Sequence, residues 1–220
     1  MKRFWALLFL VLLTSCRSGP EKCRTAKALL EDNFNDEACG WDRYDREEAS
    51  AGYADTEYFI AVHQPNTSAV AVPGAQFTDV SIETDVRLGG GLADNNLGIL
   101  CRYQDMDHFY AFLISSDGYY AIVRVIDSAS FQTLSGDGKH LMPSDAILTE
   151  TGAVNQIRAE CTGDLLTLYV NGQQLASVTD DQLTAGDIGF IVSTYSEGST
   201  EVRFDNLFVR EPVAPLGESE

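Results

Sequence analysis

Basic residues are scarce in this chain: 15 Lys and Arg stand against 33 Asp and Glu in 220 residues, a formal charge of −18. A surface of that sign repels phosphate backbones and anionic headgroups, so electrostatic binding of nucleic acid or of an anionic bilayer is excluded. Histidine occurs three times, at His63, His108 and His140, with no His-x-x-x-His pair, and the ligands of a helix-borne zinc hydrolase are therefore missing. There is no Gly-x-Ser-x-Gly elbow, and Gly89-Gly90-Gly91 is not followed by Lys-Ser/Thr, which removes elbow-type hydrolases and phosphate-loop enzymes. Cysteine is sparse, five in all, and none forms a Cys-x-x-Cys pair, so the spacing argues against a zinc site. No helical period persists beyond two turns, and no Pro/Gly/Ser linker or charge run divides residues 28–211. One strand-built domain is the economical reading, and a hydrophobic content of 45% is enough to give it a core.

Only one apolar run exceeds strand length, residues 4–13, and ten residues are too few to span a bilayer. Lys2 and Arg3 precede it and Leu13-Thr14-Ser15-Cys16 closes it, the layout of a cleavable export signal. This end resembles the lipobox of bacterial lipoproteins, which implies residues 1–16 as signal peptide and lipobox, Cys16 as the diacylated residue, and a mature protein tethered on the outer face of a membrane. Residues 17–27 are then a polar tether, and residues 212–220, broken by Pro212, Pro215 and Gly217, a polar tail. Loss of Lys2 and Arg3 with the signal leaves 13 basic against 33 acidic residues.

With Cys16 assigned to the anchor, Cys23, Cys39, Cys101 and Cys161 remain as an even set in an oxidising compartment. Of the three pairings, Cys23 with Cys39 and Cys101 with Cys161 is favoured: the first two bracket the entry to the domain, and the last two sit at inward registers of strands.

Strand patterning is plain. Val80, Ile82, Thr84, Val86 and Leu88 alternate with Ser81, Glu83, Asp85 and Arg87, giving one buried and one wet face. Leu97, Ile99, Cys101 and Tyr103 share a face opposite Leu100, Arg102 and Gln104, and His108, Tyr110 and Phe112 oppose Phe109, Ala111 and Leu113. Asp117-Gly118 and Asn171-Gly172 read as tight hairpin turns, since both dipeptides tolerate positive φ. Further strands are expected at 58–63, 69–72, 119–126, 155–161, 165–170, 173–179, 187–194 and 201–209. About a dozen short strands with turn signals between them predict an antiparallel sandwich.

The order of these elements resembles the concanavalin A-like lectin/glucanase jelly roll, whose members include laminin G-like modules, lectins and family 16 glycoside hydrolases. The resemblance is carried by Glu31-Asp32-Asn33-Phe34-Asn35-Asp36, by Gly98-Ile99-Leu100-Cys101-Arg102-Tyr103 leading to His108-Phe109-Tyr110-Ala111-Phe112, by Leu168-Tyr169-Val170-Asn171-Gly172, by Gly186-Asp187-Ile188-Gly189-Phe190 and by Val202-Arg203-Phe204-Asp205-Asn206-Leu207. It implies an all-β, antiparallel jelly-roll β-sandwich. It extends to the 3-keto-disaccharide hydrolase-like branch found on bacterial surface proteins, which implies carbohydrate as the ligand class.

The acids of family 16 hydrolases, Glu-x-Asp-x-x-Glu or Glu-x-Asp-x-Glu, begin here at Glu83-Thr84-Asp85 and then fail, with Arg87 and Leu88 where the second Glu belongs. A retaining pair needs two carboxyl groups about 5 to 5.5 Å apart. The reading is therefore a non-catalytic recognition module for carbohydrate or envelope glycan. A divergent glycoside hydrolase and a structural or protein-interaction lipoprotein are the alternatives. Sugar recognition needs ring faces and forked polar groups, and the strand-borne candidates are Arg102, Tyr110, Tyr120, Arg124, Arg158 and Tyr169, with Glu83 and Asp85 on one strand face; Trp41 and Tyr44 lie in an early loop and Tyr195 near a rim. In jelly rolls of this class a structural Ca²⁺ often ties the first strand to the last. The resemblance thereby implies calcium at Glu31, Asp32, Asp36 and Asp205, hard oxygen donors that suit the ion.

Overall fold

A computed structural model describes residues 20–127, 131–195 and 197–212. Cys16, the signal segment and the tail from 213 onward lie outside the described residues. Sixteen strands build two antiparallel sheets. They are β1 (Leu30–Asp32), β2 (Tyr44–Asp45), β3 (Ala49–Ala54), β4 (Glu57–Val62), β5 (Ser68–Ala71), β6 (Val80–Gly91), β7 (Asn95–Asp105), β8 (His108–Ile114), β9 (Tyr119–Ile126), β10 (Gln132–Thr133), β11 (Met142–Pro143), β12 (Val154–Thr162), β13 (Leu165–Val170), β14 (Gln173–Thr179), β15 (Asp187–Thr194) and β16 (Thr200–Arg210). The nine-stranded sheet runs β14-β13-β12-β6-β16-β4-β3-β2, with β1 also on β16; the seven-stranded sheet runs β10-β9-β8-β7-β15-β5, with β11 also on β9. Among the described residues no helix is long and apolar enough to cross a membrane.

The nine-stranded sheet follows its pattern along most of β6, although Ser81, expected on the wet face, is buried and Leu88, expected on the inner one, is partly exposed. Val80, Ile82, Thr84 and Val86 are buried while Glu83, Asp85 and Arg87 are partly solvated, and Ile157, Ala159 and Cys161 of β12 continue the inner face. The β13–β14 hairpin turns at Asn171 (φ 50°) and Gly172 (φ 80°), two consecutive left-handed residues that match the right-handed twist of the strands. At Asp117-Gly118 only Gly118 is left-handed, and the loop is longer than a two-residue turn: Ser115 N–H donates to Tyr119 O at 2.8 Å. Strand β3 was not expected, because Ala, Ser and Gly in its sequence Ala-Ser-Ala-Gly-Tyr-Ala carry little β signal.

Between the sheets lies one core, with an aromatic stack at one end. Trp41 stacks on Phe190 at 4.5 Å and Phe190 on Phe204 at 4.0 Å; Phe34 packs edgewise against Trp41 and Phe190, and Tyr58 at a tilt. Trp41, from the early loop, is thus a core residue. The seven-stranded sheet is apolar on both faces. Its inner face gives Leu97, Ile99, Tyr110, Phe112, Ile122 and Phe190 to the main core, and its other face carries a second buried cluster that includes Leu100, Phe109, Leu113, Val123 and Ile191.

Two disulfides join the chain as expected, Cys23 to Cys39 and Cys101 to Cys161. The second bridges the two sheets from β7 to β12. The first draws in part of the segment read as a tether: Pro20–Cys23 is a 3₁₀ turn and Cys23 is buried.

Candidate functional site

A bulge in β7 shapes one side of an open cleft. The pairing with β8 slips between Cys101 and Asp105, and Arg102 adopts φ 53°. Gly186 allows this, because a Cβ there would come within 2.4 Å of the Arg102 backbone. An extra residue reverses the alternation beyond it. Tyr103, expected beside Ile99 and Cys101, therefore packs against the second apolar cluster on the opposite face, next to Val70.

The segment after Trp41 closes the other side. Trp41 is fixed in the core, so the chain crosses the edge of β5, where Asp42 N–H donates to Val72 O at 3.1 Å and Asp42 Oδ2 accepts from Val72 N–H at 3.2 Å. Tyr44 follows, its hydroxyl donating to Val70 O at 2.9 Å, and the Arg46 guanidinium lies 4.8 Å from the centre of its ring. Together with the β7–β8 turn these residues border an open cleft of about 380 Å³, lined by Asp42, Arg43, Tyr44, Arg46, Glu48, Ser68, Val70, Tyr103 and Met106. Burial pushes the Tyr44 phenol up to about 12, against the pull of Arg46, and burial followed by the nearby Asp105 and Asp42 raises that of Tyr103. Both hydroxyls stay neutral at physiological pH; the Tyr44 proton is committed to Val70 O, which leaves its oxygen to accept. Two phenol rings, two guanidinium groups and two carboxylates thus border the cleft, with one face of the Tyr44 ring covered by Arg46. Of this set only Tyr44 stood out in the sequence. The run Asp42-Arg43-Tyr44-Asp45-Arg46, which alternates charge around an aromatic, was the available signal.

The strand candidates divide into buried and solvated groups. Arg102 was read as outward-facing and is not: its side chain is 1% exposed and donates to Leu183 O at 2.8 Å, Gly163 O at 2.7 Å and Thr78 O at 3.2 Å. It ties loops to the end of the sandwich. Tyr110 is likewise buried; its hydroxyl donates to Asp180 Oδ1 and accepts from the Leu183 N–H at 3.1 Å. Arg124 pairs with the same Asp180 and donates to Gln132 at 2.7 Å, and Tyr120 packs against the main core. Arg102 was misplaced by the bulge in β7; for Tyr110, Tyr120 and Arg124 the cause is that both faces of β8 and β9 are apolar, so alternation marks two faces without saying which is inside.

Arg158, Tyr169, Glu83 and Asp85 do face outward, on the nine-stranded sheet. Arg158 is in register with Tyr169 on one side and Glu83 on the other, and its guanidinium lies 3.9 Å from the Tyr169 ring centre. That ring face is thereby covered, and Arg158 also contacts Glu160 at 3.4 Å. Asp85 stands opposite Asp205 in the ladder, where side chains on one face come within about 5 Å of each other and like charges are unfavourable. A bulge between Asp205 and Phe208, with Asn206 at φ 52°, lets Asn206 Nδ2 donate to Asp85 at 3.0 Å. Burial, followed by Glu57 and Asp85, raises the Asp205 pKa. The pair borders a small depression of about 160 Å³ with Glu57, Arg87 and Arg203.

The acids read as calcium ligands lie around the chain entry, where burial raises the Asp32 pKa and Asp36 and Asp205 are both near enough to add to the rise. Glu31, Asp32 and Asp36 border one depression at the chain entry, whereas Asp205 borders another. Among the described residues the one set of three or more Asp, Glu, His or Cys donors that converges within 4.8 Å is Cys23, Asp32 and Cys39, whose sulfurs are joined. Asp36 turns its Oδ1 to the Ala38 N–H at 2.8 Å, and Glu31 accepts from Thr25.

The two sheets define an all-β, antiparallel jelly-roll β-sandwich. Residues 30–210 match the model of the 3-keto-alpha-glucoside-1,2-lyase-like domain, and the chain belongs to that family, which makes it a carbohydrate-related domain. Among solved structures it is similar to the carbohydrate binding module CBM66 from Bacillus subtilis (14% identity, TM-score 0.56, 78% of this chain and 96% of that one). It is also similar to a Bacillus subtilis protein of unknown function with a galectin-like fold (12%, 0.58, 87% and 99%). A third similarity is to xylan beta-1,4-xylosidase from Bacillus halodurans (11%, 0.58, 82%), where it corresponds to 39% of the longer chain. At these identities the likeness speaks for the fold. A sequence search of curated proteins finds no match.

Proposed function

We propose that this domain is a non-catalytic carbohydrate-recognition module, held by Cys16 to the outer face of a membrane, and that glycan enters the Tyr44–Tyr103 cleft. The observation that carries the reading is the convergence of Tyr44, Arg46 and Tyr103 on one open cleft although they are far apart in sequence. The carboxyl groups at the cleft do not form a tight acid/base couple. Asp42 is committed to the Val72 N–H, and no Asp or Glu at the cleft belongs to a converging set of three or more donors among the described residues. Two disulfides fit an oxidising compartment outside the cytoplasm, and a lipid anchor would raise local concentration enough for weak sugar binding to suffice. A glycan array should give retention on neutral or envelope-derived sugars that Tyr103→Ala and Tyr44→Ala each reduce by ~10-fold or more, the scale of one lost aromatic contact. No retained glycan, or undiminished retention by both variants, overturns it.

A second reading is favoured by the Asp85–Asp205 pair and by the family's name, which describes a lyase-like domain for 3-keto-α-glucosides. Elimination across C1 and C2 needs a base for the proton made acidic by the neighbouring ketone, and Asp85 could serve with Asp205 as its acid partner. Turnover of a 3-keto-glucoside that is abolished by Asp205→Asn supports this reading; absent turnover removes it.

A further inference from the structure

We propose that Cys23, Cys39 and Asp32 form a binding site for a soft divalent cation of the zinc class once the disulfide between the two cysteines is reduced. The two sulfurs and a carboxylate oxygen of Asp32 lie within 4.8 Å of one another, and all three residues are buried. Tetrahedral zinc with Zn–S of about 2.3 Å and Zn–O of about 2.0–2.2 Å sets its donors about 3.3–3.8 Å apart. Opening the S–S bond lets the sulfurs separate to that spacing, and the carboxylate has about 1 Å to travel.

A second observation points to a ligand. Asp32 is 94% buried; its Oδ1 accepts from the Phe34 N–H at 2.8 Å, while Oδ2 makes no hydrogen bond of ordinary geometry and the Trp41 indole N–H is the donor near the carboxylate. A buried acceptor without a full hydrogen bond is costly, and it belongs to the carboxylate that lies beside the two sulfurs. Asp32 is held in place by β1, which pairs it with Leu207 of β16. The site borders an open depression of about 600 Å³ with Lys22, Asn33 and Asp36, so a fourth position is left to water. Thiolate donors select zinc-class ions over calcium, which prefers six to eight oxygens. Cys101 and Cys161 differ: both are fully buried between the sheets and belong to no such donor set among the described residues.

The chemistry balances with a dithiol or phosphine reductant. Two electrons enter the S–S bond and two protons complete two thiols, while the dithiol leaves as a disulfide or the phosphine as its oxide. Each thiol then loses its proton as the metal binds, so two protons are released per ion. The segment leading to Cys16 would in this way be held to β1 by a metal in place of a covalent bridge.

The test uses the full chain with Cys16→Ser, which leaves no thiol outside the two disulfides. After phosphine reduction, alkylation and mass mapping should find Cys23 and Cys39 free with Cys101–Cys161 intact, and circular dichroism should be unchanged. Cobalt(II) should then bind one per chain with thiolate-to-cobalt absorption that the unreduced protein lacks. Asp32→Asn should weaken binding at least ~10-fold, as loss even of a supporting partner does, and Cys23→Ser should remove the two-thiolate spectrum. A folded, reduced protein that takes up no cobalt, equal affinity in Asp32→Asn, or unfolding on reduction before metal is added would each overturn the proposal.

Discussion

Replacing Arg102 by alanine should cost stability and leave glycan affinity per folded molecule unchanged. The guanidinium donates to three carbonyls at 2.7–3.2 Å, those of Gly163, Leu183 and Thr78, and meets Asp79 at 3.4 Å. Hydrogen bonds from a charged donor contribute about 1.5–3 kcal/mol each. Their sum overstates the loss, because deletion also relieves the cost of burying the charge, and Asp79 is half exposed and adds little. Removal of one partner from a buried ionic network typically costs about 3–5 kcal/mol, and that is the expected destabilisation. In a domain of this size it corresponds to a drop in Tm of roughly 10 °C. Urea denaturation at pH 7 should show the midpoint falling by roughly 2 M with the m value unchanged. Arg102→Met separates two causes: it restores most of the apolar stem and none of the donors, so it should remain nearly as unstable as the alanine variant. A loss below about 1 kcal/mol in Arg102→Ala, or lost glycan retention at wild-type stability, would refute the assignment of Arg102 to the frame of the fold.

Asp187 is buried and its pKa is pushed up to about 6, chiefly by burial, against backbone N–H donors from Ala75, Ile188 and Gly74. Its protonated form is therefore favoured by folding, and the stability it contributes is present below about pH 4 and lost as pH rises through 6. Relative to Asp187→Asn, the wild type should lose up to about 3 kcal/mol between pH 4 and 7; urea midpoints that keep a constant difference contradict this. The pair Cys101→Ala with Cys161→Ala opens a 60-residue loop and should cost about 4 kcal/mol, measured by the same denaturation, with a loss under about 1 kcal/mol opposing the chain-entropy account. Detergent partition with Triton X-114 should place the expressed protein in the detergent phase and Cys16→Ser in the aqueous phase. Aqueous partition of both would remove the anchor.

How far the sequence could be read depended on contrast between faces. Strand β6 was legible because Ile82 and Val86 meet the core while Glu83 and Arg87 meet water, and Asn171-Gly172 because two left-handed residues need those types. In β8, Tyr110 and Phe109 are both buried on opposite faces, so period two gave no direction, and Tyr110, Tyr120 and Arg124 were placed on the wrong side. Arg102 was obscured by a bulge, which no local propensity announces; the clue was Gly186, some eighty residues away. The cleft itself joins Tyr44, Val70 and Tyr103, which meet only because Trp41 anchors the early loop on Phe190. Of the acids read as calcium ligands, Asp205 is near Asp32 in the order of strands and borders a neighbouring depression, a placement that strand order alone does not give.

Titration calorimetry of one array-selected glycan against the wild type, Tyr103→Ala and Arg158→Ala is the most direct test of recognition in the Tyr44–Tyr103 cleft. Tyr103→Ala should weaken binding by ~10-fold or more, equal to ~1.4 kcal/mol, while Arg158→Ala, on the outer face of the other sheet, binds like the wild type. Binding that survives in Tyr103→Ala and fails in Arg158→Ala would contradict the account and move the site to the nine-stranded sheet.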